Sequence, residues 1–220
     1  MESPPALLPQ AVSTSIMARL WGNSAARAPG LILPTLYTIG HSNHPIDEFL
    51  RLLTANGITA VADVRSQPYS RRNPQFNKDR LAASLAQHHI AYVFLGKELG
   101  ARSEDESVYE GGKVQYPRLM ATPLFQSGIQ RVLAGAEKYR IALMSAEREP
   151  LDCHRTLLVS RALEATGASI MHIMRDASLE PQDQTMSRLI DLVGLSKDDM
   201  FQDRADLVAA ACTLRENQRP

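Results

Sequence analysis

The chain has 220 residues, with 24 Lys+Arg balanced by 24 Asp+Glu and a hydrophobic fraction of 44%. That apolar share with no net charge excludes a disordered chain and gives no long-range attraction to nucleic acid, although a local basic patch stays open. No apolar run is long enough for a membrane helix. The two cysteines, Cys153 and Cys212, are too few for a disulfide framework, so a reducing cytoplasm is the expected setting.

Residues 1–34 differ from the rest. Five prolines (Pro4, Pro5, Pro9, Pro29, Pro34) stand with Glu2, Arg19 and Arg27 as the only charges. A secretory signal needs a basic start and a compact apolar stretch, and neither is present. The segment reads as a flexible leader. A start codon set too far upstream is the bland alternative, and an organellar transit peptide fits less well for want of arginines.

Order is expected from Thr35. Thr35–Ser42 (TLYTIGHS) reads as a strand ending in Gly-His-Ser. Pro45–Asn56 places Ile46, Phe49, Leu50, Leu52 and Leu53 at helical spacing, with Pro45 in the first turn and Gly57 just past the end. Thr59–Ser66 is the second strand, Asn77–His89 an amphipathic helix, and Ala91–Leu95 the third strand. Residues 96–122 carry glycine and charge without clear periodicity, and a connection of this length suggests a functional loop or lid. Pro123–Lys138 then reads as a helix, Tyr139–Glu147 as a strand, a helix runs from near Asp152 to Gly167, and Ser169–Arg175 is the fifth strand. Pro181–Val193 and Arg204–Arg215 close the chain as helices.

This alternation predicts a single α/β domain over residues 35–217. Its sheet is largely parallel, of about five strands, with helices on both faces and a helical C-terminal part over residues 181–217. In such sheets ligands bind beyond the carboxyl ends of the strands. The polar residues collect there. The first strand delivers His41 and Ser42. The second delivers Asp63 and Arg65, then Tyr69, Arg71 and Arg72. The fourth delivers Ser145, Glu147 and Arg148, and the loop after it carries Cys153, His154 and Arg155 into a helix start.

The Cys153-His154-Arg155 triplet is the sharpest signal. A thiol at a helix start, with arginines nearby, has its thiolate favoured, and a cysteine beside a histidine is a nucleophile arrangement. The same geometry binds an anion without a covalent step. Free cysteine is also among the most buried residue types, so a small core residue is the plain alternative. His41 is a general base, a ligand-orienting group or a satisfied strand-end histidine. Asp63 alternates onto the same strand face as Arg65, which suits a structural ion pair as well as it suits catalysis. Glu147 is an acid or base, or else a cap or an Arg155 partner. Ser66–Lys78 interleaves Tyr69 and Phe76 with Arg71, Arg72 and Lys78, a pattern that fits a nucleic-acid strand, a phosphate clamp or a solvated loop. There is no glycine-rich phosphate loop, no dinucleotide fingerprint and no ligand pair of diagnostic spacing, so neither a cofactor nor a metal is expected.

Four separated runs, YTIGHSNHPIDEFLRLL, ADVRSQPYSRRNPQFN, FLGKELGAR and ALMSAEREPLDCHR, occur in order over residues 36–173. Together they resemble the domain-of-unknown-function family numbered 488. The resemblance implies a small cytoplasmic α/β domain, mostly prokaryotic, with no assigned reaction. Members often carry a cysteine two residues before the glutamate that follows the fourth strand. Here that position is Ser145, which argues against a two-cysteine redox mechanism and leaves a single-cysteine mechanism or an anion site.

Three readings follow. The first is an enzyme in which Cys153, His41, Glu147 and Asp63 carry the chemistry. Ser42, Arg65, Tyr69, Arg71, His154 and Arg155 would then hold a small anionic substrate, nucleotide, nucleic-acid or phosphorylated in class. The second is a nucleic-acid-binding or regulatory module without catalysis. The third is an interaction protein whose polar motifs pin loops. The sequence carries no signal for an oligomeric state.

Overall fold

The computed structural model describes residues 34–195 and 203–218. The expected leader lies outside these residues except for Pro34. The chain divides into two compact units between Met186 and Ser187.

In the larger unit the strands are β1 (Thr35–Gly40), β2 (Ala60–Asp63), β3 (Ala91–Phe94), a small hairpin of β4 (Tyr109–Glu110) and β5 (Lys113–Val114), then β6 (Ile141–Ser145), β7 (Ser169–Ile173) and β8 (Leu179–Pro181). The main helices are α1 (Ile46–Ala55), α2 (Lys78–Gln87), α3 (Gly96–Leu99), α4 (Tyr116–Met120), α5 (Pro123–Ala136) and α6 (Arg161–Ala165). A π-helix, Arg155–Ser160, leads directly into α6. Helix α7 (Gln182–Leu192) crosses the unit boundary, and α8 (Arg204–Gln218) belongs to the C-terminal unit. There the Arg204 guanidinium donates to Ser187 Oγ at 2.9 Å.

The main sheet has six strands in the order β3-β2-β6-β1-β7-β8, all parallel except the β7–β8 pair. The sheet is therefore one strand larger than expected. The extra strand is a three-residue antiparallel edge ending in Pro181, too short and too polar to announce itself by alternation.

Strand order fixes where the helices go. From β1 the chain moves through α1 and α2 toward the β3 edge, and from β6 it moves through the π-helix and α6 toward β7. Right-handed crossovers running in opposite directions put these two sets of helices on opposite faces. The packing agrees. Phe49, Leu52 and Leu53 of α1 and Leu81 and Leu85 of α2 share one core with Tyr37, Ile39, Val61, Ala142 and Met144. Neighbouring strands β6 and β1 thus send their following loops to opposite sides. This is the switch point at which an α/β sheet opens a crevice.

Residues 96–122, expected as a stretch without clear periodicity, carry regular structure. They form α3, a short 3-10 turn (Glu106–Val108), the β4–β5 hairpin and α4, and they bury Leu99, Val108, Leu119 and Met120. Gly111 and Gly112 make the two-residue hairpin turn with φ of 56° and 77°. Positive φ at both central positions is what such a turn requires. The helix expected from Asp152 also differs. A 3-10 turn at Pro150–Asp152 precedes an extended Cys153, and the helical run opens with π geometry. A 3.6-residue periodicity cannot signal that opening.

Among the described residues, no helix is long and apolar enough to cross a membrane.

Candidate functional site

The ends of β1 and β6 are held together first by backbone. His41 N–H donates to the Ser145 carbonyl and Ser42 N–H to the Ala146 carbonyl, both at 2.9 Å. Gly40 permits this closeness, because a Cβ there would overlap the Glu147 carbonyl oxygen. Ser42 itself sits at φ 47°, in the left-handed region that a non-glycine residue rarely adopts.

Two polar clusters flank this junction, one on each face of the sheet. On the α1/α2 face, the buried Asp63 carboxylate binds Arg65 through Nη2 at 2.6 Å and Nε at 2.9 Å, and it accepts the Tyr92 hydroxyl at 2.8 Å. The Arg65 guanidinium also donates to the Phe76 carbonyl at 2.8 Å and to His41 Nε2 at 3.1 Å. His41 Nδ1 donates to the Ser42 carbonyl at 2.8 Å, which fixes the tautomer and turns the Nε2 lone pair toward Arg65. The ring stacks on Phe76 with centroids 4.3 Å apart. Burial first, then the Arg65 charge, push the His41 pKa down to about 4. Burial and the adjacent Asp63 carboxylate push the Tyr92 hydroxyl up.

On the other face lies the thiol. Cys153 Sγ is 2.9 Å from Glu147 Oε2, 3.0 Å from Ser145 Oγ and 3.8 Å from His154 Nδ1, and it accepts the Arg155 N–H at 3.3 Å. A thiol has one proton, and the Glu147 carboxylate is its strongest acceptor here. His154 Nε2 donates to the Val64 carbonyl at 2.9 Å. A carbonyl can only accept, so Nε2 carries the hydrogen and the Nδ1 lone pair faces the sulfur. Burial opposes a charged His154, yet the Cys153 sulfur, the Val64 hydrogen bond and Glu147 outweigh it and raise the pKa. Burial likewise opposes an ionised Glu147, but the Cys153 hydrogen bond and the His154 and Arg155 charges hold its carboxyl below the usual value.

Arg155 is 1% exposed and organises this cluster. It donates to Ser145 Oγ and the Glu147 carbonyl at 2.6 Å each, to the Arg148 carbonyl at 3.1 Å and to Thr38 Oγ1 at 3.3 Å. None of these acceptors is a carboxylate. Behind it the chain of donors continues. The Thr38 hydroxyl meets His172 Nδ1 at 2.7 Å, and His172 Nε2 meets Gln182 Oε1 at 2.6 Å. Ser145 is one of the polar residues expected at this edge, whereas nothing in the sequence marks Thr38 and His172 as site residues. Thr38 and His172 sit opposite each other in the β1–β7 register, inside strands that read as apolar. That cross-strand pairing is the signal that would have exposed them.

A cleft of about 590 Å³ opens on the His41–Arg65 cluster, lined by His41, Ser42, Arg65, Tyr69, Arg72 and Ala146 among others; it reaches the thiol cluster only as far as Ala146, the residue before Glu147. Among the described residues, no carboxylate lines it. At its rim Arg148 donates to Ser42 Oγ at 3.2 Å and Asn43 Oδ1 at 2.9 Å. Tyr69 is 62% exposed. Arg71, expected as a substrate contact, is exposed but does not line the cleft, and Arg72 does.

Apart from Arg71, the expected residues therefore meet at one sheet edge as two groups. Glu147, Cys153, His154 and Arg155 surround the thiol, and His41, Asp63 and Arg65 back the cleft with Ser42 and Tyr69. Asp63 is engaged as the ion-pair partner of Arg65. Cys153 is buried, as the plain reading held, but among polar side chains. No metal was expected from residue spacing, yet the ligand atoms of Glu147, Cys153 and His154 lie within 4.8 Å of one another.

The fold and the edge define a doubly wound α/β protein with a polar crevice at its switch point. The chain matches the family described as domain of unknown function DUF488 over residues 45–162, more than half its length, and it belongs to that family. No curated protein matches the chain, and no solved structure does.

Proposed function

We propose that this chain is an enzyme in which Cys153 attacks an electrophilic centre of a small anionic substrate, of the nucleotide or phosphorylated class, seated in the adjacent cleft. The observation that carries this reading is the sulfur itself. It is held by Glu147, Ser145, the Arg155 N–H and the lone pair of His154, and Glu147 directly follows Ala146, which lines a cleft whose charged side chains among the described residues are Arg65 and Arg72.

His154 Nδ1 takes the thiol proton as the Sγ–substrate bond forms. The bond to the leaving group breaks, and the leaving group receives that proton from His154. Water then cleaves the Sγ adduct, releases the product and restores the thiol. Ser145 relays the Arg155 charge toward the sulfur. Glu147, the one partly exposed side chain around Sγ, orients the thiol and turns aside to admit substrate. His41 spends its lone pair on Arg65, so it positions that guanidinium, and Asp63 holds it from the other side. Arg65, Arg72 and Arg148 bind the anion, and Tyr69 offers a stacking face. A reducing cytoplasm keeps the thiol free.

Turnover of a panel of nucleotides and phosphorylated small molecules tests this reading. Activity on any member must vanish in Cys153→Ala and fall in Arg72→Ala. Full activity in Cys153→Ala removes the covalent mechanism.

The exposure of Tyr69 beside Arg71 and Arg72 favours a second reading, a non-catalytic module for single-stranded nucleic acid. It requires oligonucleotide affinity that drops steeply with salt. No binding at low salt ends it.

A further inference from the structure

We infer that Glu147, Cys153 and His154 form a binding site for one divalent, thiolate-seeking cation of the zinc type. The ligands are Oε2, Sγ and Nδ1, whose atoms all lie within 4.8 Å of one another. Carboxylate, thiolate and imidazole are the three protein ligand types that zinc accepts, and three of them leave one tetrahedral position open.

The spacing fits. With zinc about 2.3 Å from sulfur and about 2.1 Å from oxygen or nitrogen, tetrahedral ligand atoms stand about 3.5 Å apart. The Sγ–Nδ1 separation of 3.8 Å is close to that value. The Sγ–Oε2 separation of 2.9 Å is that of a hydrogen bond. It must widen by about 0.6 Å once the thiol proton gives way to a metal bond. Glu147 is the partly exposed member and the end of a flexible side chain, so it can make that shift.

The surroundings of the ligands also match those of a metal site. A metal-bound histidine donates its other ring N–H to a carboxylate or carbonyl, which sets its tautomer and orientation. His154 does so already, through Nε2 to the Val64 carbonyl at 2.9 Å. The Arg155 N–H already points at the sulfur at 3.3 Å. Binding replaces one proton: the Cys153 S–H bond breaks, the sulfur electron pair goes to the cation, and the proton leaves to buffer. Two anionic ligands balance the cation, and the nearby Arg155 leaves the loaded site with one surplus positive charge. The open position is therefore suited to an anion.

This inference uses the residues of the proposed active site but does not depend on a nucleophilic Cys153. A coordinated thiolate is masked, so occupancy would set whether the sulfur can react.

The test uses full-length chain carrying Cys212→Ser, which leaves Cys153 as its single thiol, stripped with a chelator. Equilibrium dialysis against Zn²⁺ should give one ion per chain, with affinity at least tenfold weaker in Cys153→Ser and in Glu147→Gln. The partly exposed Glu147 variant guards against loss of folding, and circular dichroism checks both proteins. Cobalt should give a sulfur-to-metal charge-transfer band that Cys153→Ser lacks. Zn²⁺ should slow iodoacetamide labelling of Cys153 at least tenfold, with no such protection in His154→Gln. Absence of stoichiometric binding, or equal affinity in the variants, overturns the metal site. Labelling of the stripped chain reports separately on the nucleophile. Rapid labelling without zinc binding removes this inference alone, whereas zinc binding to a thiol that is inert when stripped removes the nucleophile alone.

Discussion

Acidification should destabilise the protein through His41 in a way that one substitution isolates. The folded-state pKa of His41 is about 4, whereas the unfolded chain titrates near 6.5. A histidine held neutral binds its proton more weakly in the folded state. Its contribution to stability is therefore complete above the unfolded pKa and is lost as pH falls from 6.5 toward 4. One pKa unit corresponds to about 1.4 kcal/mol, so about 2 kcal/mol disappears between pH 7 and pH 5 and about 3 kcal/mol by the time both states are protonated. The physical cause is specific: a charged His41 would face the Arg65 guanidinium at 3.1 Å inside the fold. Wild type and His41→Gln should be unfolded in urea at half-unit steps from pH 7 to pH 5. Wild type should start as the more stable protein and lose about 2 kcal/mol of its advantage across that range. His154, raised in the folded state, contributes stability below its unfolded pKa that fades as pH rises through the folded one. It does so in both proteins, so it cancels in the difference. Parallel stability curves for the two proteins would falsify the claim that Arg65 and burial hold His41 neutral.

Two further substitutions probe the flanking clusters. Asp63→Asn leaves the buried Arg65 without its counter-charge and should cost about 3–5 kcal/mol in urea unfolding, with a loss below 1 kcal/mol showing that other acceptors suffice. Arg155→Met strips donors from Ser145, Thr38 and two backbone carbonyls and should cost about 3 kcal/mol while slowing Cys153 labelling. An unchanged labelling rate in a folded Arg155→Met protein would mean that the guanidinium does not act on the sulfur.

The sheet was legible in the sequence because its interior strands are short apolar runs spaced by amphipathic helices. β1, β2, β3, β6 and β7 all fall inside the ranges that alternation and turn residues mark. β8 was not legible, since Leu179–Pro181 has three residues and a proline. The site was half legible. Polar residues that interrupt apolar runs at predicted carboxyl ends, such as His41, Asp63 and Glu147, mark the edge without any coordinates. Their division into two groups depends on which face each strand residue takes. That depends on the direction of the crossovers from β1 and β6, which the sequence does not state. The choice of Arg72 over Arg71 for the cleft turns on one step of loop geometry. The Thr38–His172 pair requires knowing that β1 lies beside β7. The π-helix after His154 has no periodicity of its own to read.

The most direct measurement is the labelling of Cys153 in the folded, chelator-stripped Cys212→Ser chain, followed by mass spectrometry at neutral pH. The account predicts modification of Cys153 faster than that of a free cysteine peptide, slowed by substituting His154→Gln and by saturating the cleft with a phosphorylated competitor. A folded protein whose Cys153 resists iodoacetamide as completely as a core residue, with or without Glu147→Ala to open the way, contradicts it.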